Sequence, residues 1–258
     1  LAIDVEARTV TVEPGITVAA LNRTLAPLGL MLGPDPASAD RATAGCCVGN
    51  NCSGSHSTLY GMMVDHVLSI DAILADGSRT TFGAVLPADL PTLARRDGLP
   101  GRIYAQTPNL IAGAGDAIIE RFPKHWRRTS GYNLDRLLPA LLPSEERGRI
   151  PTGSRFPSPL FDPTKVKSVN LAHLLTGSEG TLALTTAVTF GLVPRPKMTA
   201  CAVVHFRNIV EACTAVVDIL EVNPSACELL DKQLLDLARV QPKWAPRITF
   251  IEGNPGAI

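Results

Sequence analysis

Residues 44–61 read AGCCVGNNCSGSHSTLYG, and they follow a proline-rich loop, GPDPAS, at residues 33–38. A stretch this small and polar, set between hydrophobic segments, lets backbone N–H groups come close to a ligand. Glycine carries no Cβ to hold the ligand off and accepts positive φ. Consecutive amides in such a loop make a concavity that attracts phosphate oxygens. An ordinary surface loop has the same composition. What separates the two readings lies elsewhere in the chain.

At 258 residues the chain can hold a sizeable core and more than one domain. Its 24 basic residues balance its 24 acidic ones, which argues against a protein built to hold nucleic acid. No apolar run approaches the roughly 20 residues of a bilayer span, so no transmembrane segment is expected. The opening, LAIDVEARTVTVEPG, is strand-like and lacks the pattern of a signal peptide. It starts on Leu1 and the chain closes on Pro255-Gly256-Ala257-Ile258, so the sequence is read as a fragment truncated at both ends. Cys46, Cys47, Cys52, Cys201, Cys213 and Cys227 form no CxxC pair. They read as free thiols of a reducing compartment, and the expected location is cytoplasmic or peripheral to the membrane. No histidine has a spaced partner, so no metal site is expected in this chain.

Pattern and punctuation give the order of elements. Ile3–Val5 and Thr9–Val12 read as a hairpin, and Thr17 caps a helix over VAALNRTLAPLG that Gly29 ends. Two strands, His66–Leu74 and Arg79–Phe82, flank Asp76-Gly77. A short helix and loop occupy Pro87–Pro100, and Thr107–Phe122 reads as a helix entered through Pro108. Residues 143–168, rich in Pro, Ser, Gly and charge, read as an inserted loop. Asn170–Leu175 reads as a short helix and Leu182–Val193 as a strand. Pro194-Arg195-Pro196 marks a domain boundary. Beyond it the pattern predicts strand Thr199–Phe206, helix Ile209–Val222, strand Ala226–Leu230 and helix Lys232–Ala238, the start of an α+β domain.

Five segments, in order, carry a resemblance: VEPGITVAALNRTLAPLGLMLGPDPAS, ATAGCCVGNNCSGSHSTLYG, SIDAILADGS, RRTSGYNLD and LLTGSEGTLALTT. Together they resemble the p-cresol-methylhydroxylase-type FAD-binding domain of the FAD-linked 2-hydroxyacid dehydrogenases. That family includes glycolate oxidases, D-lactate dehydrogenases and D-2-hydroxyglutarate dehydrogenases. After the boundary, ACELLDKQLLDLA looks like the opening of the FAD-linked oxidase cap domain. The fold implied is α+β: a partial FAD-binding domain over 1–195 that lacks its N-terminal part, then the truncated beginning of a substrate (cap) domain over 196–258. A Rossmann fingerprint, GxGxxG opening a helix, is absent.

The resemblance also implies a site. Pro34, Asp35, Pro36 and Ser38 match the loop along the flavin and its ribityl chain. Thr43, Gly45, Gly49, Asn50, Asn51, Ser53 and Gly54 match the segment lining the pyrophosphate and isoalloxazine; Ser55 and His56 continue it, and Tyr60 and Gly61 close it. Gly177, Ser178, Glu179, Gly180 and Thr181 match a second flavin-contacting loop. Arg128 and Tyr132 fall where the family approaches its substrate, and an arginine fork suits a carboxylate. The alternative for Arg128 is a solvated, positive helix end; it is the reading adopted for Lys124 and Arg127, while His125 and His173 are read as structural. Two departures stand out. Cys46 occupies the place of a second glycine, so Cys46→Gly is expected to tighten FAD binding, and Ala183 replaces another glycine.

The function implied is FAD-dependent oxidation of a D-2-hydroxy acid to the 2-oxo acid, with electrons passed to an unidentified acceptor. No residue here is nominated as the base, and the piece alone is expected to be inactive. The glycine-rich pyrophosphate loop and the histidine motif of the cap would lie outside it, as would a divalent metal or an iron–sulfur cluster. The rival reading is a non-catalytic flavin- or nucleotide-binding module, or a scaffold that keeps only the fold.

Overall fold

A computed structural model describes residues 1–129, 131–150 and 160–258; part of the proposed 143–168 insertion, residues 151–159, lies outside them. The chain divides into two compact units, Leu1–Arg195 and Pro196–Ile258.

The first unit is built on a five-stranded antiparallel sheet. Along the sheet the strands run Ala2–Asp4, Thr9–Val12, Leu184–Gly191, Val67–Ile73 and Arg79–Phe82. The last strand in sequence is therefore the central one. It pairs Val10 with Phe190 on one side and Ile70 with Val188 on the other. Val10, Val12, Ile70, Phe82, Val188 and Phe190 alternate with less buried neighbours along these strands and enter the core. Against them packs the helix Val18–Leu25, whose Val18, Leu21 and Leu25 form a buried stripe at helical spacing. Thr17 caps it by accepting from the Ala20 amide, as its sequence predicts. Gly29 ends the following turn at φ 69°, a conformation glycine adopts without penalty.

Three expectations fail in instructive ways. The glycine-rich stretch contains a helix, Ala44–Gly49, which the composition hid. The helix expected from Thr107 begins earlier: it spans Gly98–Gly113 with Pro108 inside it, and a second helix, Gly115–Arg121, follows. In the second unit neither Thr199–Phe206 nor Ala226–Leu230 is a strand. Single bridges join Phe206 and Asp231 to Ala257 instead, and Leu230 exchanges two backbone hydrogen bonds with Ile258. That unit holds the helices Ile209–Glu221, capped by Asn208, and Lys232–Val240, capped by Asp231. Its buried apolar residues are Ala212, Leu235, Ile251 and Ala257.

Candidate functional site

The glycine-rich wall is held from behind. Thr43 caps the helix Ala44–Gly49, its hydroxyl accepting from the Cys46 amide at 3.4 Å. Gly45 packs on Pro14 so closely that an added Cβ would lie 2.5 Å from the Pro14 Cβ. The chain then turns at Asn51, which is 2% exposed and sits at φ 46°. Asparagine is among the few residues with a side chain that visit this region readily.

Asn51 is the junction of the site. Its Oδ1 accepts from the Val64 amide at 3.0 Å, and its Nδ2 faces the Arg128 carbonyl at 3.1 Å and the Asn133 Oδ1 at 3.3 Å. Asn133 in turn donates to the Thr176 carbonyl at 2.6 Å. From the third segment, the Gly177 amide donates to the Val48 carbonyl at 2.8 Å and the Glu179 amide to the Gly49 carbonyl at 2.9 Å. Gly177, at φ 85°, lies against Gly131, Asn51 and Asn133. Tyr132 closes the ring from outside, its hydroxyl 2.9 Å from the Thr181 Oγ1. Segments 44–61, 131–136 with Arg128, and 176–181 thus form one structure, although they are far apart in sequence.

The GPDPAS loop is attached to the same wall. Pro34 and Pro36 are buried, Asp35 is half-buried, and Ser38 is exposed. The Asp35 carbonyl accepts from the Ser55 amide at 3.2 Å, and an added Cβ on Gly54 would fall 2.0 Å from that oxygen. His56 Nδ1 lies 3.3 Å from the Asp35 carboxylate. The Gly54 amide donates to Ser57 Oγ at 2.9 Å. Tyr60 offers its carbonyl to His66 Nε2 at 2.7 Å, and Gly61 ends the short helix Ser57–Tyr60 at φ 72°. Ser178 is buried, whereas Glu179, Gly180 and Thr181 are exposed.

Arg128 is placed differently from a free carboxylate receptor. It is 9% exposed, and its guanidinium is ion-paired with the buried Asp135. The adjacent Arg127 is exposed; it stacks by Trp126 and reaches toward the Gly54 carbonyl at 3.4 Å. Arg121, His125, Arg127, Arg128 and Tyr132, with Phe122, line a cleft of about 560 Å³. Of the lysines and histidines read as bystanders, Lys124 is exposed and donates to the Ile119 carbonyl, while His173 is held by the Val67 carbonyl at 3.1 Å. Among the described residues no group of three or more His, Cys, Asp or Glu could hold a metal ion.

Sequence reasoning missed His66, Asn133, Asp135 and the Asp65–Arg136 ion pair. His66 bridges the Tyr60 and Gly191 carbonyls, and Arg136 is 4% exposed. Asn133 and Asp135 lie inside RRTSGYNLD, and that segment is the signal that points to them. Nothing in the sequence marks Asp65 as the partner of Arg136.

The wall has a packed back and an open front. Gly45, Gly54 and Gly177 are closed in by Pro14, Asp35 and Asn51, but a Cβ added at Gly49 or Gly180 would meet nothing within 4 Å. Residues 1–83 match the family of FAD binding domains, and residues 195–255 match the C-terminal domain of FAD linked oxidases. Both matches are to domains of FAD-linked oxidases, and the relatives below are 2-hydroxyacid dehydrogenases and oxidases, to which the chain is similar. A D-2-hydroxyglutarate dehydrogenase of Pantoea ananatis is 29% identical over 244 residues, covering 95% of this chain and 22% of the relative. The glycolate oxidase protein GlcD of Bacillus subtilis is 24% identical, covering 98% of this chain and 39% of the relative. The structure of an alkyldihydroxyacetonephosphate synthase aligns with a TM-score of 0.51 at 18% identity, covering 92% of this chain and 29% of that one, and shows the shared fold. The chain thus spans 22% to 39% of these relatives' lengths. FAD is named by both matching domain families, and the open front at Gly49 and Gly180, next to polar Asn50 and Thr181, fits it.

Proposed function

We propose that this chain supplies one wall of the flavin site of an FAD-dependent enzyme that oxidises a D-2-hydroxy acid to the 2-oxo acid. The observation that carries the reading is the Asn51 junction. Asn51, in a segment that the family resemblance assigns to the flavin, bonds to Arg128 and Asn133 of the segment it assigns to the substrate side, and Asn133 bonds to Thr176 beside the second flavin-contacting loop. Bound FAD would supply the acceptor for the two electrons that leave the substrate's α-carbon.

This chain's own residues do preparatory work. Asn50, Ser53, Ser55 and Thr181 offer hydrogen-bonding groups, and the Gly49 and Gly180 backbones leave room for close approach. The Asn51–Asn133–Thr176 chain keeps two loops at a fixed spacing, so the cofactor meets a preformed surface. The ion pair with Asp135 makes Arg128 a positioning residue that orients the segment bearing Tyr132. Tyr132 remains the candidate for contact with the hydroxy acid. The identity of that acid, the acceptor that reoxidises the flavin and the base that takes the hydroxyl proton are assigned to no residue here.

The test is anaerobic titration of the full protein that contains this chain. Flavin absorbance that bleaches with D-2-hydroxyglutarate, D-lactate or glycolate supports the reading. Yellow protein that none of these, nor any other D-2-hydroxy acid, reduces favours a non-catalytic flavin module. Colourless protein that takes up no added FAD overturns the flavin assignment altogether.

A further inference from the structure

Four basic side chains, Arg121, His125, Arg127 and Arg128, line the cleft of about 560 Å³, a volume in the roughly 300–1,000 Å³ range of small-molecule sites. No aspartate or glutamate is among its described lining residues. Arg128 belongs to the frame of the cleft. The buried Asp135 neutralises it, its guanidinium lies 5.0 Å from the centre of the Phe122 ring, and it donates to the Pro123 carbonyl at 3.4 Å. Arg121 and Arg127 are exposed and take part in no ion pair among the described residues. The one hydrogen bond of the Arg127 guanidinium among those residues is the long contact with the Gly54 carbonyl, 3.4 Å.

We infer that the cleft receives a dicarboxylate, and that Arg127 with Arg121, rather than Arg128, supplies the cations that hold it. A cleft lined by charge of one sign gathers its counter-ion, and low-dielectric walls strengthen the attraction. Phe122, Pro123 and Leu134 give those walls apolar surface, which suits a short carbon chain between charged ends. A guanidinium matches a carboxylate through two parallel N–H···O bonds. Arg127 has such donors to offer, because its present partner is a single long contact. For Arg128 to do the same it would have to leave Asp135 charged and unpaired in the interior. Two unpaired cations facing one space repel each other. A ligand with one carboxylate offsets one of them, and a ligand with two offsets both.

The cleft opens beside the glycine-rich wall. Arg127 reaches Gly54 of the first loop, and Tyr132, which lines the cleft, meets Thr181 of the second. The anion site stands on the cleft alone; its assignment to the substrate rests on the flavin reading above. Under that reading the dicarboxylate is the hydroxy acid itself, and the substrate class is a 2-hydroxy dicarboxylic acid. Lactate and glycolate, with one carboxylate each, are then the poorer substrates.

The experiment is isothermal titration calorimetry of the full protein that contains this chain, with glutarate and with butyrate, neither of which has a hydroxyl to oxidise. Glutarate should bind at least about tenfold more tightly than butyrate, and its binding should weaken as salt rises. Arg127→Ala, which removes an exposed side chain, should weaken glutarate binding about tenfold or more. Arg127→Lys should recover part of that loss, since it restores the charge without the fork. In steady-state assays Arg127→Ala should raise KM for D-2-hydroxyglutarate and leave kcat within about twofold. Equal affinity for glutarate and butyrate overturns the proposal, as does glutarate binding that Arg127→Ala and Arg121→Ala both leave unchanged. Yellow protein that a hydroxy acid bleaches but that binds no glutarate overturns this proposal alone. Colourless protein that takes up no FAD yet binds glutarate through Arg127 upholds the dicarboxylate site and overturns the flavin reading.

Discussion

The side-chain amide of Asn51 meets the side-chain oxygen of Asn133 at 3.3 Å, and both residues are almost fully buried. Each amide also satisfies backbone groups from a third place, the Val64 amide for Asn51 and the Thr176 carbonyl for Asn133. A buried polar pair of this kind stabilises only while every partner is present.

Asn51→Ala should therefore destabilise the chain by about 3 kcal/mol, because it strands a buried amide and two acceptors and puts Ala at positive φ. Asn51→Gly should be milder, since glycine accepts that φ. Urea unfolding of both variants checks this, and equal losses would mean that the backbone conformation is not part of the cost.

Arg128 and Arg127 should behave oppositely. Removing the Arg128 side chain leaves Asp135 charged and buried, at a cost of about 3–5 kcal/mol. Replacing both partners, Arg128→Met with Asp135→Leu, should recover much of that loss. Arg127→Ala should stay within about 0.5 kcal/mol of the parent, as exposed substitutions usually do. A denaturation midpoint for Arg128→Met that matches the parent would contradict the buried pair.

His173 makes stability depend on pH. Burial, then the Arg136 charge, lowers its pKa to about 4 from the ordinary 6.5. The folded state thus binds the proton more weakly than the unfolded chain. Stability should hold above pH 6.5 and fall as pH drops from 6.5 toward 4, by up to about 3 kcal/mol. His173→Gln should flatten that part of the curve. Urea midpoints across the interval provide the measurement.

Gly49 and Gly54 separate folding from cofactor binding. Gly54→Ala drives a Cβ into the Asp35 carbonyl, so both stability and flavin content should drop. Gly49→Ala meets no protein atom within 4 Å and should leave stability unchanged or slightly raised. It should still weaken FAD binding roughly tenfold, equal to about 1.4 kcal/mol, if the cofactor uses that space. Flavin titration of the two variants, each with its melting curve, distinguishes them. Cys46→Gly is the companion case. Cys46 is exposed on the same helix, and tighter FAD binding by the glycine variant is the outcome expected from the steric argument.

Local features of the fold are legible because they are written locally. Thr17 as a helix cap, Gly29 at a left-handed stop and Asp76-Gly77 at a turn follow from side-chain chemistry within a few residues. The helix Ala44–Gly49 is not legible, since two glycines in six residues argue against one. It is secured by Thr43 at its start and by contacts of Ala44, Cys47 and Val48 with the core. Pro108 reads as a start because its ring suits a first turn, yet it lies buried within a longer helix. The expected strands after residue 196 have the right composition but no strand partner, and a strand exists only with one. Of the candidate site, the sequence motifs name the residues, but the pairing of Asn51 with Asn133, 82 positions away, belongs to the folded chain alone.

The order of strands in the sheet has a consequence for how the chain is made. Leu184–Gly191 lies between Thr9–Val12 and Val67–Ile73, so two early hairpins have no contact within the sheet until a strand more than a hundred residues later is synthesised. During synthesis each hairpin presents an open edge, and such edges invite pairing with other chains. Closing so distant a pairing is also slow. The nascent protein should therefore be most prone to aggregation, and most dependent on chaperones, in the interval before residue 184 leaves the ribosome.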